Sequence, residues 1–210
     1  MSRVAAGRFV AVVLTVLGVC GVARVNDAQT AVGIGLEHHV VATSKTSTME
    51  KELNGAAEKG FRFADIMGGE TAFGGNEVIA VMSKPAGTRT GTFSYRLLAT
   101  NKTSTMQKEL QDASNAGFQY RGQTVFTSAF GGDEVVCILE RDGAAPRDQI
   151  DYRLVATSKT GTLEKELQQA GAAGYEVVGM TVGKTAFGGN ELVAITRRPR
   201  SSTGSGPPAQ

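Results

Sequence analysis

The hexapeptide Ala-Phe-Gly-Gly-(Asn/Asp)-Glu occurs three times, at Ala72–Glu77, Ala129–Glu134 and Ala186–Glu191, and each copy lies 57 residues after the one before. A fixed period carried without a gap through three copies marks tandem duplication of one folding unit. Whatever fold one unit adopts, the chain adopts it three times. A unit of this size buries too little surface to be secure alone, so the three are expected to pack against one another, in a pseudo-threefold or side-by-side assembly.

The residues within each period spell out the unit. It opens with a short apolar segment, Val40-Val41-Ala42, Leu97-Leu98-Ala99 or Leu154-Val155-Ala156, which reads as a first strand. A Ser/Thr/Lys stretch follows, and then Met49, Leu53, Ala56 and Ala57 fall at helical spacing, as do Met106, Leu110 and Ala113, and Leu163, Leu167 and Ala170. Ser47 with Glu50 and Ser104 with Gln107 have the spacing of a capping box, while the third copy has Gly161 ahead of Glu164. Gly60, Gly117 and Gly174 stand where a left-handed C-terminal cap belongs. An aromatic (Phe61, Phe118 or Tyr175) leads into a half-alternating second strand. The hexapeptide comes next, and Val78–Met82, Val135–Leu139 or Leu192–Ile195 forms a third strand.

The expected class is α+β: three tandem βαββ repeats over residues 38–83, 95–140 and 152–198. Each is a three-stranded, antiparallel-type sheet with one helix on one face. With the third strand in the middle, a right-handed helical crossover joins the two flanking strands.

Outside the repeats, residues 1–28 have Arg3 and Arg8, an apolar run from Phe9 to Val19 and small residues through Ala23 and Ala28. These are the parts of a secretory signal peptide, too short for a membrane span, with cleavage expected after Ala23 or Ala28. Two alternatives stand beside it, an uncleaved anchor and lipidation at Cys20, where a bulky Val19 fills a position that wants a small residue. The formal charge is +2, and Arg3, Arg8 and Arg24 against Asp27 account for it within the leader. The remainder is near neutral and lacks the one-sided basic balance that nucleic-acid binding needs. A processed chain keeps a single cysteine, Cys137, and hence no intramolecular disulfide, ordinary for an exported bacterial protein. Residues 199–210 read as a disordered Ser/Gly/Pro tail.

Fifteen positions are identical in all three copies, in two clusters: the approach to the helix and the hexapeptide. Gly75-Asn76, Gly132-Asp133 and Gly189-Asn190 suit a tight hairpin turn, with the neighbouring Phe as an anchor. The functional alternative is a binding rim in which Glu77, Glu134 and Glu191 make repeated polar contacts. Lys45, Lys102 and Lys159, flanked by threonines ahead of a helix, are candidates for a small anionic ligand, against a plain solvated loop. Gly179 to Thr185 resembles a P-loop but has three residues between its glycines where four are needed, and no helix follows. His38 and His39 are the only histidines and, adjacent on a strand, point to opposite faces. No catalytic set, metal site or cofactor motif is expected.

Leu163 to Val178, with Leu-Glu-Lys-Glu-Leu and Gly-Tyr-Glu-Val-Val, together with Tyr152-Arg-Leu-Val before it and Arg197-Arg198-Pro199 after it, resembles the small bacterial family called domain of unknown function 4177. The resemblance covers the βαββ core of each copy. It departs in having Phe or Tyr where that family has Trp after the glycine, and in carrying the hexapeptide. It implies a small α+β unit with no established activity. The resulting expectation is an exported bacterial protein, periplasmic or secreted, acting as a non-enzymatic binding or interaction module on a protein or small anionic ligand. An envelope scaffold and an enzyme with a site between units are the alternatives.

Overall fold

The computed structural model describes residues 35–72, 75–100, 102–127, 133–147, 149–184 and 189–200. Residues 1–34, which include the expected signal peptide, and the region from 201 onward lie outside them. The elements run β1 (Leu36–Thr43), α1 (Thr46–Glu58), β2 (Arg62–Thr71), β3 (Gly75–Pro85), β4 (Phe93–Thr100), α2 (Thr103–Asn115), β5 (Gln119–Thr127), β6 (Asp133–Asp142), β7 (Ile150–Thr157), α3 (Thr160–Ala172), β8 (Glu176–Lys184) and β9 (Asn190–Pro199). They form three antiparallel sheets of order β1-β3-β2, β4-β6-β5 and β7-β9-β8. Each repeat is thus a βαββ unit with its third strand central. No helix among the described residues is long and apolar enough to cross a membrane.

The helix ends follow the glycines. Gly60, Gly117 and Gly174 have φ of 89, 86 and 82°. Around the first, Gly60 N–H donates to Ala57 C=O at 2.9 Å and Phe61 N–H to Ala56 C=O at 3.2 Å, the Schellman pattern, and both other helices close the same way. The helix starts correct the capping-box expectation. The N-cap residues are Lys45, Lys102 and Lys159, with no side-chain cap, so Ser47 and Ser104 lie inside the first turn. Lys45 caps through its backbone carbonyl, which accepts Thr48 and Met49 N–H. Its own N–H donates to Thr43 Oγ1 at 3.1 Å, and Thr100 and Thr157 repeat the contact. Glu50 and Gln107 are left free for other partners.

The hexapeptide also sits differently from expectation. Thr71 pairs with Gly75 and Glu70 with Asn76, so the turn lies before Gly75, and Asn76, Asp133 and Asn190 belong to strands. Gly75 keeps a φ of 67°. Phe73, Phe130 and Phe187 lie outside the described residues. Strand β9 continues through Pro199, and Arg200 donates to Asp151 Oδ1 at 2.7 Å and Gln149 Oε1 at 2.8 Å, so order reaches two residues into the segment expected to be a tail.

The first sheet packs on the second and the second on the third, with α1 against β4 and α2 against β7 of the sheet that follows. Met49, Leu53, Val41, Ala80 and Phe63 of the first repeat share a core with Tyr95, Val136 and Ile138 of the second. A second core joins Met106, Leu110, Cys137 and Leu139 to Ile150, Tyr152 and Ile195 of the third. Successive β6 residues therefore point into different cores, and the strand is buried on both faces over Val135–Glu140. In β3 burial alternates instead, because one face of the first sheet is covered and the other is not. The last core holds Val155, Leu163 and Ala194, with no further sheet behind it among the described residues.

A bulge recurs in the second strand of every repeat, between Phe63 and Asp65, Tyr120 and Gly122, and Val177 and Gly179. The extra residue puts Phe63 and Ile66, three apart in sequence, on one face. The aromatic then lies over a glycine of the next sheet: a methyl group on Gly122 would meet the Phe63 ring at 3.1 Å, and one on Gly179 would strike the Tyr120 hydroxyl.

Candidate functional site

Each first strand lies at the edge of its sheet, with one row of backbone groups unpaired by any strand. In β4 and β7 the preceding helix supplies the partners. Glu50 Oε2 accepts Leu97 N–H at 2.8 Å, and Asn54 both accepts Tyr95 N–H and donates to Tyr95 C=O at 2.9 Å. One period later Gln107 accepts Leu154 N–H at 2.7 Å and donates to Tyr152 C=O at 2.8 Å. Gln111 accepts Tyr152 N–H and donates to Ile150 C=O, both at 3.1 Å, and Ser114 bonds both backbone groups of Ile150. Two helix residues four apart thus read the edge of an extended strand.

Behind this edge a tyrosine locks each junction. The bulge releases the N–H of Phe63, which donates to Tyr95 Oη at 2.8 Å; Tyr120 N–H donates to Tyr152 Oη at 2.7 Å. Tyr95 in turn donates to Glu140 Oε2 at 2.9 Å, and Arg62 grips the same buried carboxylate with its nearest nitrogen at 2.8 Å. Burial raises the hydroxyl pKa of Tyr95, Tyr120 and Tyr152 above the ordinary tyrosine value. The folded chain holds these protons more tightly than the unfolded one, so the associated stability is present below about pH 10 and is lost as pH rises beyond it. Unfolding free energy is expected to fall above that pH by up to about 1.4 kcal/mol per pH unit for each such tyrosine, and less steeply in Tyr152→Phe, measured by urea titration at each pH.

Among the described residues, the ends of the stack carry the same device without its counterpart. On α3 the third copies of the strand-reading pair, Glu164 and Gln168, are solvent-facing and lie within 3.5 Å of each other. At the front, the positions filled by Phe93, Tyr95 and Leu97 at the first junction hold Leu36, His38 and Val40, all exposed. The exposed large hydrophobics divide between the two ends: Leu36 (61%), Val40 (60%) and Met67 (60%) on the first sheet, and Val177 (48%), Met180 (57%) and Val182 (51%) on β8. Phe63, Ile66 and Tyr120, which precede these β8 residues by one or two periods, are buried beneath a following repeat. The candidate site is this pair of open faces.

The lysines and glutamates singled out in the sequence stand elsewhere. Lys45, Lys102 and Lys159 are exposed. Lys102 and Glu134 line one cavity with Val182 and Val193, but its volume of about 10 Å³ admits nothing larger than a water. Glu77 accepts a hydrogen bond from Thr71 Oγ1 at 2.6 Å, and Glu191 is half-buried opposite Gly183. His38 is exposed on the front face, and His39 packs at 5.4 Å from the Phe61 ring. The Cys137 thiol, wholly buried, has its pKa pushed up to about 12, which removes the thiolate a nucleophile needs. A cleft of about 210 Å³ between the first two repeats is lined by Arg62, Arg121, Arg141 and Arg147, but Arg62 is held by Glu140 and Arg141 lies over the Phe118 ring.

Two recurring contacts escaped the sequence reading. Lys84, Arg141 and Arg198, at the end of each third strand, stack over Phe61, Phe118 and Tyr175 at 4.5, 5.0 and 4.6 Å. A basic residue 23 positions after each aromatic was the available signal. The strand-reading pairs had one as well: Glu50/Asn54, Gln107/Gln111 and Glu164/Gln168 are polar residues four apart at the same point of every period.

Comparison of the chain with protein-family models, curated proteins and solved structures gives no match.

Proposed function

We propose that the chain is an exported bacterial protein, periplasmic or secreted, that works as a non-enzymatic interaction module, and that α3 with β8 is its receiving surface for the edge of an extended strand. The observation that carries this reading is the pairing used twice inside the chain, where helix side chains four apart bond the backbone of an incoming strand, while Glu164 and Gln168 repeat the pair on an exposed helix. Backbone groups of a strand edge supply affinity, and the apolar side chains beside them supply selectivity. The apolar row of Val177, Met180 and Val182 on β8 supports the reading, because stable repeat arrays end in polar faces and this face is apolar. The leader pattern of residues 1–28 supports export, and the βαββ unit with its cap glycine and following aromatic supports kinship with domain of unknown function 4177.

The test immobilises the full chain and a Gln168→Ala, Met180→Glu double variant and offers both the same envelope extract supplemented with free chain. Retention of a partner by the parent and its loss by the variant supports the reading. Equal retention, or none by either, contradicts it. Fractionation of cells expressing the chain tests export separately, and recovery in the cytoplasm alone would count against it.

A further inference from the structure

We infer that the occupant of the α3–β8 surface is the first strand of a second copy of this chain, so that copies join head to tail through the same contact that joins their repeats. The inference rests on the strand-receiving reading above and adds the identity of the strand.

The two open ends are the two halves of one interface. β1 is the first copy of β4 and β7, and its register against β3, Val40 opposite Val81, matches that of Leu97 opposite Ile138 and Leu154 opposite Ile195. The backbone groups read in β4 and β7 are therefore presented in the same order along β1. Glu164 stands ready for Val40 N–H as Glu50 receives Leu97 N–H. Gln168 likewise matches His38 N–H and Leu36 C=O, as Gln111 bonds Tyr152 and Ile150. The apolar partners correspond too. Leu36, Val40 and Met67 on the front are what one period later becomes Phe93, Leu97 and Thr124, and the first two of these pack against the preceding repeat.

His38 stands where Tyr95 and Tyr152 accept the bulge N–H, so the joint lacks that bond, whereas a second difference is compensated in size. At the internal junctions a large aromatic lies over a glycine, Phe63 on Gly122 and Tyr120 on Gly179. At the open ends Asp65 replaces the glycine and the smaller Val177 replaces the aromatic. A larger residue in front thus meets a smaller one behind.

Such a joint is heterologous. The patch on one copy differs from the patch on its neighbour, and each copy keeps one of each, so association leads to rings or open filaments.

Mass measurement across a concentration series tests this with two exposed-site variants of the full chain, Val40→Glu and Met180→Glu, each checked for an unchanged unfolding midpoint. The parent is expected to exceed its 21.9 kDa monomer mass as concentration rises. Each variant alone, lacking one half of the joint, is expected to stay monomeric. Their equimolar mixture contains one intact front and one intact back and is expected to give a species of twice the monomer mass; the double variant mixed with either single one stays monomeric. A mixture that remains monomeric while the parent associates would overturn the inference and place association on another surface, the leader included. A parent that stays monomeric throughout would also overturn it. In that case loss of an extract partner by Met180→Glu, and not by Val40→Glu, keeps the strand-receiving reading, and no loss in either removes both.

Discussion

Replacing Tyr95 by phenylalanine is expected to lower the stability of the chain by about 1–3 kcal/mol, read by urea unfolding, while Tyr175→Phe changes it by less than about 0.5 kcal/mol. Tyr95 is buried, and its hydroxyl bonds two groups at the junction, the second of them a buried carboxylate that Arg62 also holds. The N–H of Phe63, released from its ladder by the bulge, donates to it at 2.8 Å, and it donates to the buried Glu140 carboxylate at 2.9 Å. Removing one oxygen leaves the N–H without an acceptor and the carboxylate short of a donor, and unpaired buried groups of this kind are costly. Tyr175 offers its ring to Arg198, a task that phenylalanine already performs at Phe61 and Phe118. Equal effects at the two positions would mean that the hydroxyl does not hold the junction.

Gly68→Ala should be the second costly change, by about 1–3 kcal/mol, with Gly69→Ala beside it near neutral. A methyl group on Gly68 would be driven into the backbone oxygen of Val125 in the next repeat, an obstacle that no rotamer change removes. One on Gly69 meets nothing within 4 Å. The two glycines are adjacent in the same strand and share its backbone preferences, so the difference between them isolates the contact between sheets. A loss of stability of the same size at both would indicate a general cost of alanine in β2 and argue against close apposition of the first two sheets.

The repeat architecture was legible because periodicity needs no knowledge of tertiary contacts: a 57-residue period, a helical stripe and a glycine that must take positive φ each act locally. The capping box misled for an instructive reason. Glu50 stands at the right spacing from Ser47, but a carboxylate at that place gains more by accepting the edge N–H of Leu97 from the next repeat than by returning to its own helix start. That choice depends on a strand 47 residues away, which no local pattern encodes. The same holds for the functional reading. Identity across copies drew attention to Lys45 and Glu77, whereas the informative positions were those that change between copies. Tyr95 and Tyr152 become His38 in the first copy, and the glycine of Gly122 and Gly179 becomes Asp65 there.

Residue-resolved amide exchange on Val40, Leu97 and Leu154, run at low and high protein concentration, tests most directly whether a single strand-reading contact builds the stack and extends it. The three amides are equivalent by period, and the last two are held by Glu50 and Gln107. Leu97 and Leu154 should be protected at both concentrations. Val40 should exchange freely when dilute and become protected when concentrated, as α3 of a second copy takes its edge. Protection of Val40 in the dilute chain would show that its edge is already covered within one molecule. Free exchange of Leu97 and Leu154 would show that the helices do not read the strands at all.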